Sequence, residues 1–378
     1  VQAYYLRAPH FSPHSGYELA VRDLAQTNGI VGVGQQWPRR PAEGAAARRP
    51  GDRLRQTAAR AAQGAVSRLA GSAGYSTGAL ALELSAILRM ARGRGQVFHF
   101  LYAEHSCRLT PAFDGWRGHR VLGTFHQTPQ QLRAAIRRPG YLRRLGGAIM
   151  LGRSQGEFLG RYLPPERLHF IPHGVDTSYF RPQEVPPSRP AGTPLCAAIG
   201  GTLRDFQTLR GAIDLLRERS VPVQYDLIAR GDQLPYVQGL PQARVREWVG
   251  EGEFRALYQR ADLFVLPLHD AVASNTLLEA LACGAPTVVT DAGAVRDYVD
   301  ESCVAFARPG DPNSLADAME GLLRDPQRAA RLRAAGRARA EALDVRAVAR
   351  RHQELYRSLL CLQGAPLGRP LSQEVGWR

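Results

Sequence analysis

Along most of this chain, short apolar runs alternate with longer stretches of helical periodicity, and that alternation constrains the fold more than any other feature. In the first half QAYYLRA (2–8), QVFHFLY (96–102), RVLGTF (120–125), GAIMLG (147–152) and LHFIP (168–172) read as buried strands. PLCAAIG (194–200), VQYDLIA (223–229), ARVREWV (243–249), DLFVLPL (262–268) and PTVVT (286–290) repeat the theme in the second half. Between them, YELAVRDLAQ (17–26), TLRGAIDLLRER (208–219), EFRALYQRA (253–261) and SLADAMEGLLRD (314–325) carry helical periodicity. A strand that is apolar without interruption must be covered on both faces, and helices between successive strands supply that cover for a parallel sheet. The expected class is α/β.

A length of 378 residues exceeds what one core usually serves, so two domains are expected. RPQEVPPSRPAGTP (181–194) is proline-rich without apolar periodicity and reads as the linker. The expected organisation is a first domain over 1–180, a linker over 181–193 and a second domain over 194–344. VRAVARRHQELYRSLL (345–360) predicts a last amphipathic helix, bounded at 345–361 and packing back on the first domain, before a tail at 362–378. Residues 35–75 are rich in Arg, Ala and Gly and read as a loosely packed helix with flanking loops.

Composition then removes several kinds of chemistry. The chain has 49 basic and 34 acidic residues, a formal charge of +15, and not one lysine. Schiff-base catalysis and the lysine-dependent phosphate loop are therefore excluded. The positive excess attracts anions such as nucleotides, phosphorylated sugars or an acidic membrane face. Arg39, Arg40, Arg48 and Arg49 lie in a stretch without interleaved aromatic residues, so no nucleic-acid module is expected. Cys107, Cys196, Cys283, Cys303 and Cys361 form no CxxC pair and are expected to be reduced, mostly buried thiols; no metal site follows from their spacing. With no apolar run near the roughly 20 residues of a membrane span, and no charged-then-apolar opening segment, the chain reads as cytoplasmic.

In open parallel sheets, ligands bind beyond the carboxyl ends of the strands, so residues that directly follow apolar runs are the candidates. Ser15 and Glu18 have capping-box spacing, and Gly16 between them allows close backbone approach by an anion, or simply forms a strand–helix turn. His126 ends RVLGTF, with Pro129 stopping the strand, and is placed to exchange a hydrogen bond near neutral pH. His99 lies inside its strand and reads as a satisfied core residue, while Glu104 and His105 follow that strand as weaker candidates. Arg204 follows a glycine pair and precedes a helix; it reads as a donor fork for a diphosphate or as a solvated helix-start residue. Ser274 or Asn275 can cap a new helix, Glu279 lies one turn inside it, and Gly284 with Pro286 closes it. A helix start that holds phosphate beside a carboxylate that accepts from vicinal hydroxyls is a nucleotide-binding arrangement.

Taken together, these segments resemble the retaining glycosyltransferases of family 4. SGYE (15–18) resembles the family's glycine-rich GGxE loop, and IPHGVDTSYFRP (171–182) is similar to its IPNGVD segment, with His173 in place of asparagine. RDFQTL (204–209) resembles its KxxxxL segment, with Arg204 at the lysine position, and LLEALACGAPTVVTDAG (277–293) matches its most distinctive signature. The resemblance implies a GT-B fold, two Rossmann-like domains with parallel sheets facing across a cleft. It implies a nucleotide-diphosphate sugar held mainly by the second domain and an acceptor, a glycan, lipid or small metabolite, in the first. Gly16 and Arg204 would hold the diphosphate with N–H groups near Ser274, Asn275 and Thr276; Glu279 would bind the ribose and His126 would sit by the donor sugar. The implied reaction retains anomeric configuration, needs no metal or other cofactor, and proceeds on the leaving-group face.

Two positions depart from the family pattern. Its Glu-x7-Glu pair would place the first acid at Ala271, and Asp270 stands one residue early as a substitute sugar contact. Gly200, Gly201 and Thr202 leave no arginine ahead of Arg204. These departures keep open an alternative, a non-catalytic GT-B protein that binds a nucleotide sugar or a partner. The charge keeps open a peripheral contact with an anionic membrane, which can coexist with the glycosyltransferase reading.

Overall fold

A computed structural model of the chain describes residues 3–7, 31–34, 63–72, 74–183 and 192–361. The expected helix at 17–26, the positions of Ser15, Gly16 and Glu18, most of 35–75, most of the linker and the tail lie outside the described residues. The chain forms two compact units, one comprising the described residues up to Ile171 and from Ala349, the other Pro172–Val348.

The first unit holds a six-stranded parallel sheet of β1 (Ala3–Arg7), β2 (Val31–Gly34), β3 (Val97–Phe100), β4 (Arg120–Phe125), β5 (Gly147–Met150) and β6 (Leu168–Phe170). Their spatial order is β2-β1-β3-β4-β5-β6. Phe98, Phe100, Val121, Phe125 and Ala148 from the strands pack with Leu82, Ala86 and Met90 of helix α1 (Thr77–Arg92) and Leu132 of α2 (Pro129–Ala135). Ser76 caps α1 by accepting from the Ala79 N–H, and Thr128 with Gln131 forms a capping box on α2. β3 stops at Phe100 rather than at 102, because Leu101 and Tyr102 turn into a single helical turn over Ala103–Ser106. That turn needs Gly123 on β4: a Cβ there would come within 2.5 Å of the Ala103 Cβ. Beyond the turn, the fully buried Glu83 carboxylate of α1 accepts from the backbone N–H groups of Arg108, Leu109 and Thr110 at 2.6–2.8 Å. His99 is a core residue, as expected. Its Nδ1 lies 2.6 Å from the Tyr356 hydroxyl and its Nε2 2.7 Å from Thr124 Oγ1, and burial drives its pKa well below the usual range.

The second unit repeats the architecture with β7 (Leu195–Gly200), β8 (Gln224–Ala229), β9 (Ala243–Arg246), β10 (Leu263–Leu266), β11 (Thr287–Thr290) and β12 (Ala305–Ala307). The order β12-β11-β10-β7-β8-β9 is parallel throughout and reverses direction between β7 and β10. Alternate residues serve opposite faces. Ala197, Ile199, Phe264 and Leu266 pack in one core with Leu277 and Leu281, while Cys196, Ala198, Leu263 and Val265 pack in the other with Phe206, Leu209 and Leu216. Burial of such side chains stabilises by roughly 1.5–3 kcal/mol each, which is why the strand sequences are apolar on both faces. The helices are α3 (Phe206–Glu218), α4 (Glu251–Arg260), α5 (Asn275–Ala282), α6 (Pro312–Arg324), α7 (Pro326–Ala342) and the start of α8 (Val345–Cys361).

Four elements depart from the sequence reading. ARVREWV does not form a buried strand to 249: β9 ends at Arg246, whose guanidinium pairs with Asp226 at 2.6 Å, and Trp248 beyond it is 70% exposed. β2 and β12 are too short and too rich in Gly or Ala to give a strand signal. In α7 the Ala/Arg alternation hides its packing face, which Gly336 supplies; a Cβ there would meet Leu281 Cδ2 at 2.8 Å.

Residues 172–180 pack within the second unit. Val175 bridges Asp344, the His173 N–H donates to the Tyr298 hydroxyl at 2.9 Å, and Gly174 lies against Val345 and Val348. The IPHGVD segment thus serves as a structural seam. α8 leaves that seam and enters the first unit at Ala349, where Tyr356 meets His99. Among the described residues no helix is long and apolar enough to cross a membrane, and Cys107, Cys196, Cys283 and Cys303 are buried free thiols with Cys361 exposed.

Candidate functional site

The reversal between β7 and β10 opens a crevice at the carboxyl ends of the strands, and the loops after those two strands carry the second unit's candidate residues. β7 ends at Gly200, where φ is 140° and a Cβ would lie 2.5 Å from Arg204 Nε. The chain then turns through Leu203, a non-glycine residue at φ 57°. Two backbone bonds clamp this turn to the loop after β10: the Asp205 N–H donates to Pro267 O at 3.1 Å and the His269 N–H to Leu203 O at 3.0 Å. Asp205 caps α3, accepting from the Thr208 N–H at 3.0 Å and its hydroxyl at 2.6 Å.

Arg204 is therefore held from several sides. Its Nε donates to Ile199 O, Nη1 to Thr202 O and Nη2 to Thr276 Oγ1, each at 3.2 Å. Burial pulls its pKa down to about 10, which leaves it charged at neutral pH. The bond to Thr276 brings the cation to the first turn of α5. Ser274 caps that helix, taking the Leu277 N–H on its hydroxyl at 3.3 Å and the Leu278 N–H on its carbonyl at 3.2 Å. Among the described residues, no acceptor meets the N–H groups of Asn275 and Thr276. Two orphan donors at the positive end of a helix, beside an arginine, make an anion receptor.

Glu279 follows one turn later. The fully buried Tyr258 of α4 donates its hydroxyl to Glu279 Oε2 at 2.9 Å, which fixes one oxygen of the carboxylate. Burial raises the Glu279 pKa to about 7, and the Tyr258 bond opposes the rise. α5 ends at Cys283, with Gly284 at φ 71°. Asp270 is half-buried, and its Oδ1 accepts the N–H of Ala271 at 2.8 Å. Gly293, at φ 57°, presses on this loop; a Cβ there would lie 2.2 Å from Ala271 O, while the Ala294 N–H donates to that carbonyl at 2.8 Å. Arg204, Ser274, Asn275, Thr276, Glu279 and Asp270 thus all occupy the two loops and the one helix at the sheet's reversal. Sequence reading missed Tyr258; its only signal was an aromatic residue with a polar handle on the apolar side of EFRALYQRA.

In the first unit, the loops after β3 and β4 bring Glu104 and His126 together. The His126 N–H donates to Glu104 Oε1 at 3.1 Å, and ring Nδ1 lies 3.8 Å from the same oxygen. The imidazole stacks on Tyr102, with centroids 4.3 Å apart and planes 25° apart. Glu104 is 1% exposed, and burial raises its pKa to about 7 against the opposing hydrogen bonds and the Arg108 charge. His105 lies 3.3 Å from Gln127 Nε2 on the same rim. Among the described residues no cluster of acidic, His and Cys side chains is arranged to hold a metal.

Residues 196–325 match the family model of glycosyl transferases group 1. An alpha-maltose-1-phosphate synthase of Mycolicibacterium smegmatis is 28% identical over 229 residues, which is 52% of this chain and 58% of that protein. An MMP alpha-(1->4)-mannosyltransferase of Mycolicibacterium hassiacum is 30% identical over 185 residues, 47% of this chain and 44% of that one. A D-inositol 3-phosphate glycosyltransferase of Thermobispora bispora is 26% identical over 223 residues, 53% of this chain and 52% of that one. The matched segment thus spans about half the length of these curated relatives. In fold, a sucrose-phosphate synthase of Thermosynechococcus elongatus superposes with a TM-score of 0.66 at 18% identity, over 96% of this chain and 100% of that one. HepE of Anabaena, in complex with UDP and glucose, gives 0.65 at 14% identity, over 94% and 99%. With two Rossmann-like units on parallel sheets the chain has a GT-B fold, and residues 196–325 of its second unit are similar to the glycosyl transferases group 1 family.

Proposed function

We propose that this chain is a retaining, metal-independent glycosyltransferase of the hexosyltransferase class that moves a sugar from a nucleotide-diphosphate donor to an acceptor hydroxyl. One observation supports the reading above the others. Arg204 is hydrogen-bonded to the first turn of α5, and that same helix carries Glu279, which is fixed by Tyr258. A cation bonded to the first turn of the helix, two N–H donors of that turn and a carboxylate one turn on then meet at one helix, which suits a diphosphate followed by a vicinal diol.

On this reading Arg204, Gly16 and the N–H groups of Asn275 and Thr276 hold the diphosphate, with Ser274 shaping the turn. Glu279 accepts from the ribose hydroxyls, Asp270 serves as a substitute sugar contact, and His126 contacts the donor sugar. The acceptor oxygen bonds to the anomeric carbon as the bond from that carbon to the phosphate oxygen breaks. The acceptor's proton passes to the departing diphosphate, and attack from the leaving-group face retains configuration. The protein's main contribution is fixed positive charge where the leaving group gains negative charge. Acceptor recognition falls to the first unit. The Mycolicibacterium smegmatis and Thermobispora bispora relatives both bear phosphate in the names of their products or acceptors, and a chain of charge +15 suits an anionic acceptor of that kind. The reading places the protein on the cytoplasmic side, with its arginines available to an anionic membrane face.

Calorimetric titration with uridine, guanosine and adenosine diphosphates tests the donor site. Saturable binding of one nucleotide, lost in Glu279→Ala, is the expected result. Absence of binding by all three would replace this reading with the non-catalytic one. Retention is tested separately by the anomeric coupling of the product in NMR, and metal independence by full activity in excess chelator.

A further inference from the structure

Glu104 lies at the switch point of the first sheet, beyond β3, and nothing in the donor chemistry above uses it. It is a carboxyl group with almost no solvent exposure. Oε1 takes the His126 backbone N–H and faces ring Nδ1, while Oε2 is buried without a hydrogen-bond partner among the described residues. Such a group is costly to bury. Its position is also over-determined. Gly123 admits the turn that carries it, Glu83 pins the residues just beyond, and the Arg108 guanidinium donates to the Glu104 carbonyl at 3.2 Å.

We infer that Glu104 is a positioning residue for His126. Stacking on Tyr102 sets the plane of the imidazole, and Glu104 sets its rotation and tautomer. With the carboxylate oxygen facing Nδ1, the ring proton belongs on Nδ1, and Nε2 is left as the acceptor. A separation of 3.8 Å is an electrostatic contact rather than a hydrogen bond. Contacts of this kind tighten when a ligand loads the other side of the ring. A wrong tautomer would turn Nε2 from acceptor to donor, so the carboxyl group decides which hydrogen bond His126 offers to a sugar hydroxyl.

Among the described residues, three further titratable or charged side chains bear on the pair. His99 on β3 and a protonated His126 repel one another, Arg108 favours ionised Glu104, and His105 reaches the rim through Gln127. A change of charge on Glu104, 3.8 Å from the ring nitrogen, should therefore register in the signal of the His126 ring as an inflection added to the ring's own.

The test uses the full chain labelled with isotopic histidine and reads the His126 ring nitrogens and Cε1–H by NMR, with no substrate present. The wild type should show the Nδ1–H tautomer and a two-step titration with one step near pH 7. Glu104→Gln keeps an oxygen for the His126 N–H but removes the charge; it should collapse the titration to one step and allow the Nε2–H tautomer. A single inflection in the wild type, or an unchanged tautomer in the variant, overturns the inference. The kinetic arm alone rests on the glycosyltransferase reading. Glu104→Gln should there lower kcat by roughly tenfold to a hundredfold with the donor KM nearly unchanged. If the ring responds but no transfer occurs with any donor, the activity reading fails and the positioning role stands. If Glu104→Ala does not fold, the wild-type titration and Glu104→Gln still decide the matter.

Discussion

The two units carry similar sheets but arm them differently. In the second, the candidate side chains are already seated on protein partners: Arg204 on three oxygens, Ser274 on the Leu277 N–H, Glu279 on Tyr258. In the first, the candidate ring is held by a stack and a carboxyl contact. The contrast teaches where rigidity is needed. A diphosphate is the same for every donor and rewards a prebuilt receptor. On the proposed function the first unit has the acceptor to recognise, and its candidate site is assembled from contacts between separate strands and loops.

The sharpest way to break this comparison is to remove the charge from the prebuilt receptor. Arg204→Ala should lower kcat by about a hundredfold to a thousandfold, because leaving-group charge develops only in the transition state. Steady-state kinetics decides: a change confined to donor KM would mean the arginine serves ground-state binding only. Glu279→Ala should weaken nucleoside diphosphate binding by roughly tenfold to a hundredfold, measured by calorimetry.

The raised pKa of Glu279 adds a pH dependence. The ionised carboxylate is the better acceptor for two hydroxyls, so wild-type affinity should rise as pH increases through about 7. For stability the sign is opposite. Between the ordinary carboxylate range and about 7 the folded state holds more protons than the unfolded one, so this group's contribution falls as pH rises. Glu279→Gln should flatten that part of a pH-dependent melting series.

Gly293→Ala should destabilise the second unit by at least about 1–2 kcal/mol, since the residue combines left-handed φ with contact on Ala271. Thermal melting would show it, and an unchanged midpoint would mean the loop after β10 is softer than its contacts imply. The smallest effect is expected for Tyr258→Phe, about 1 kcal/mol in nucleotide affinity. The midpoint of its pH dependence should move upward, because the lost bond had stabilised the carboxylate.

The same contrast explains what the sequence could disclose. The second unit's site is built from local signals: a glycine before Arg204, Ser274 ahead of a helical run, Glu279 one turn inside it, Gly284 after it. Each acts within a few residues, so each leaves a readable pattern. Tyr258 is 21 residues from Glu279, and Asp205 meets the loop after β10 only through the β7–β10 pairing. Nothing local records such meetings. Glu104 was visible as a residue after a strand, but its bearing on His126 depends on the register of β3 with β4. β9 shows the converse, a convincing apolar run that ends early because an edge strand can spend its arginine on Asp226.

One consequence follows from Leu203. A leucine at φ 57° stores about 1–2 kcal/mol of local strain, and it does so one residue ahead of Arg204. An engineer seeking a hardier protein would relax this turn first, by replacing Leu203 with asparagine or glycine. The same change would loosen the one backbone segment that aims the guanidinium. On the proposed function, durability and turnover would then move in opposite directions at a single torsion angle, and a screen for heat resistance alone would select the variant slower in transfer.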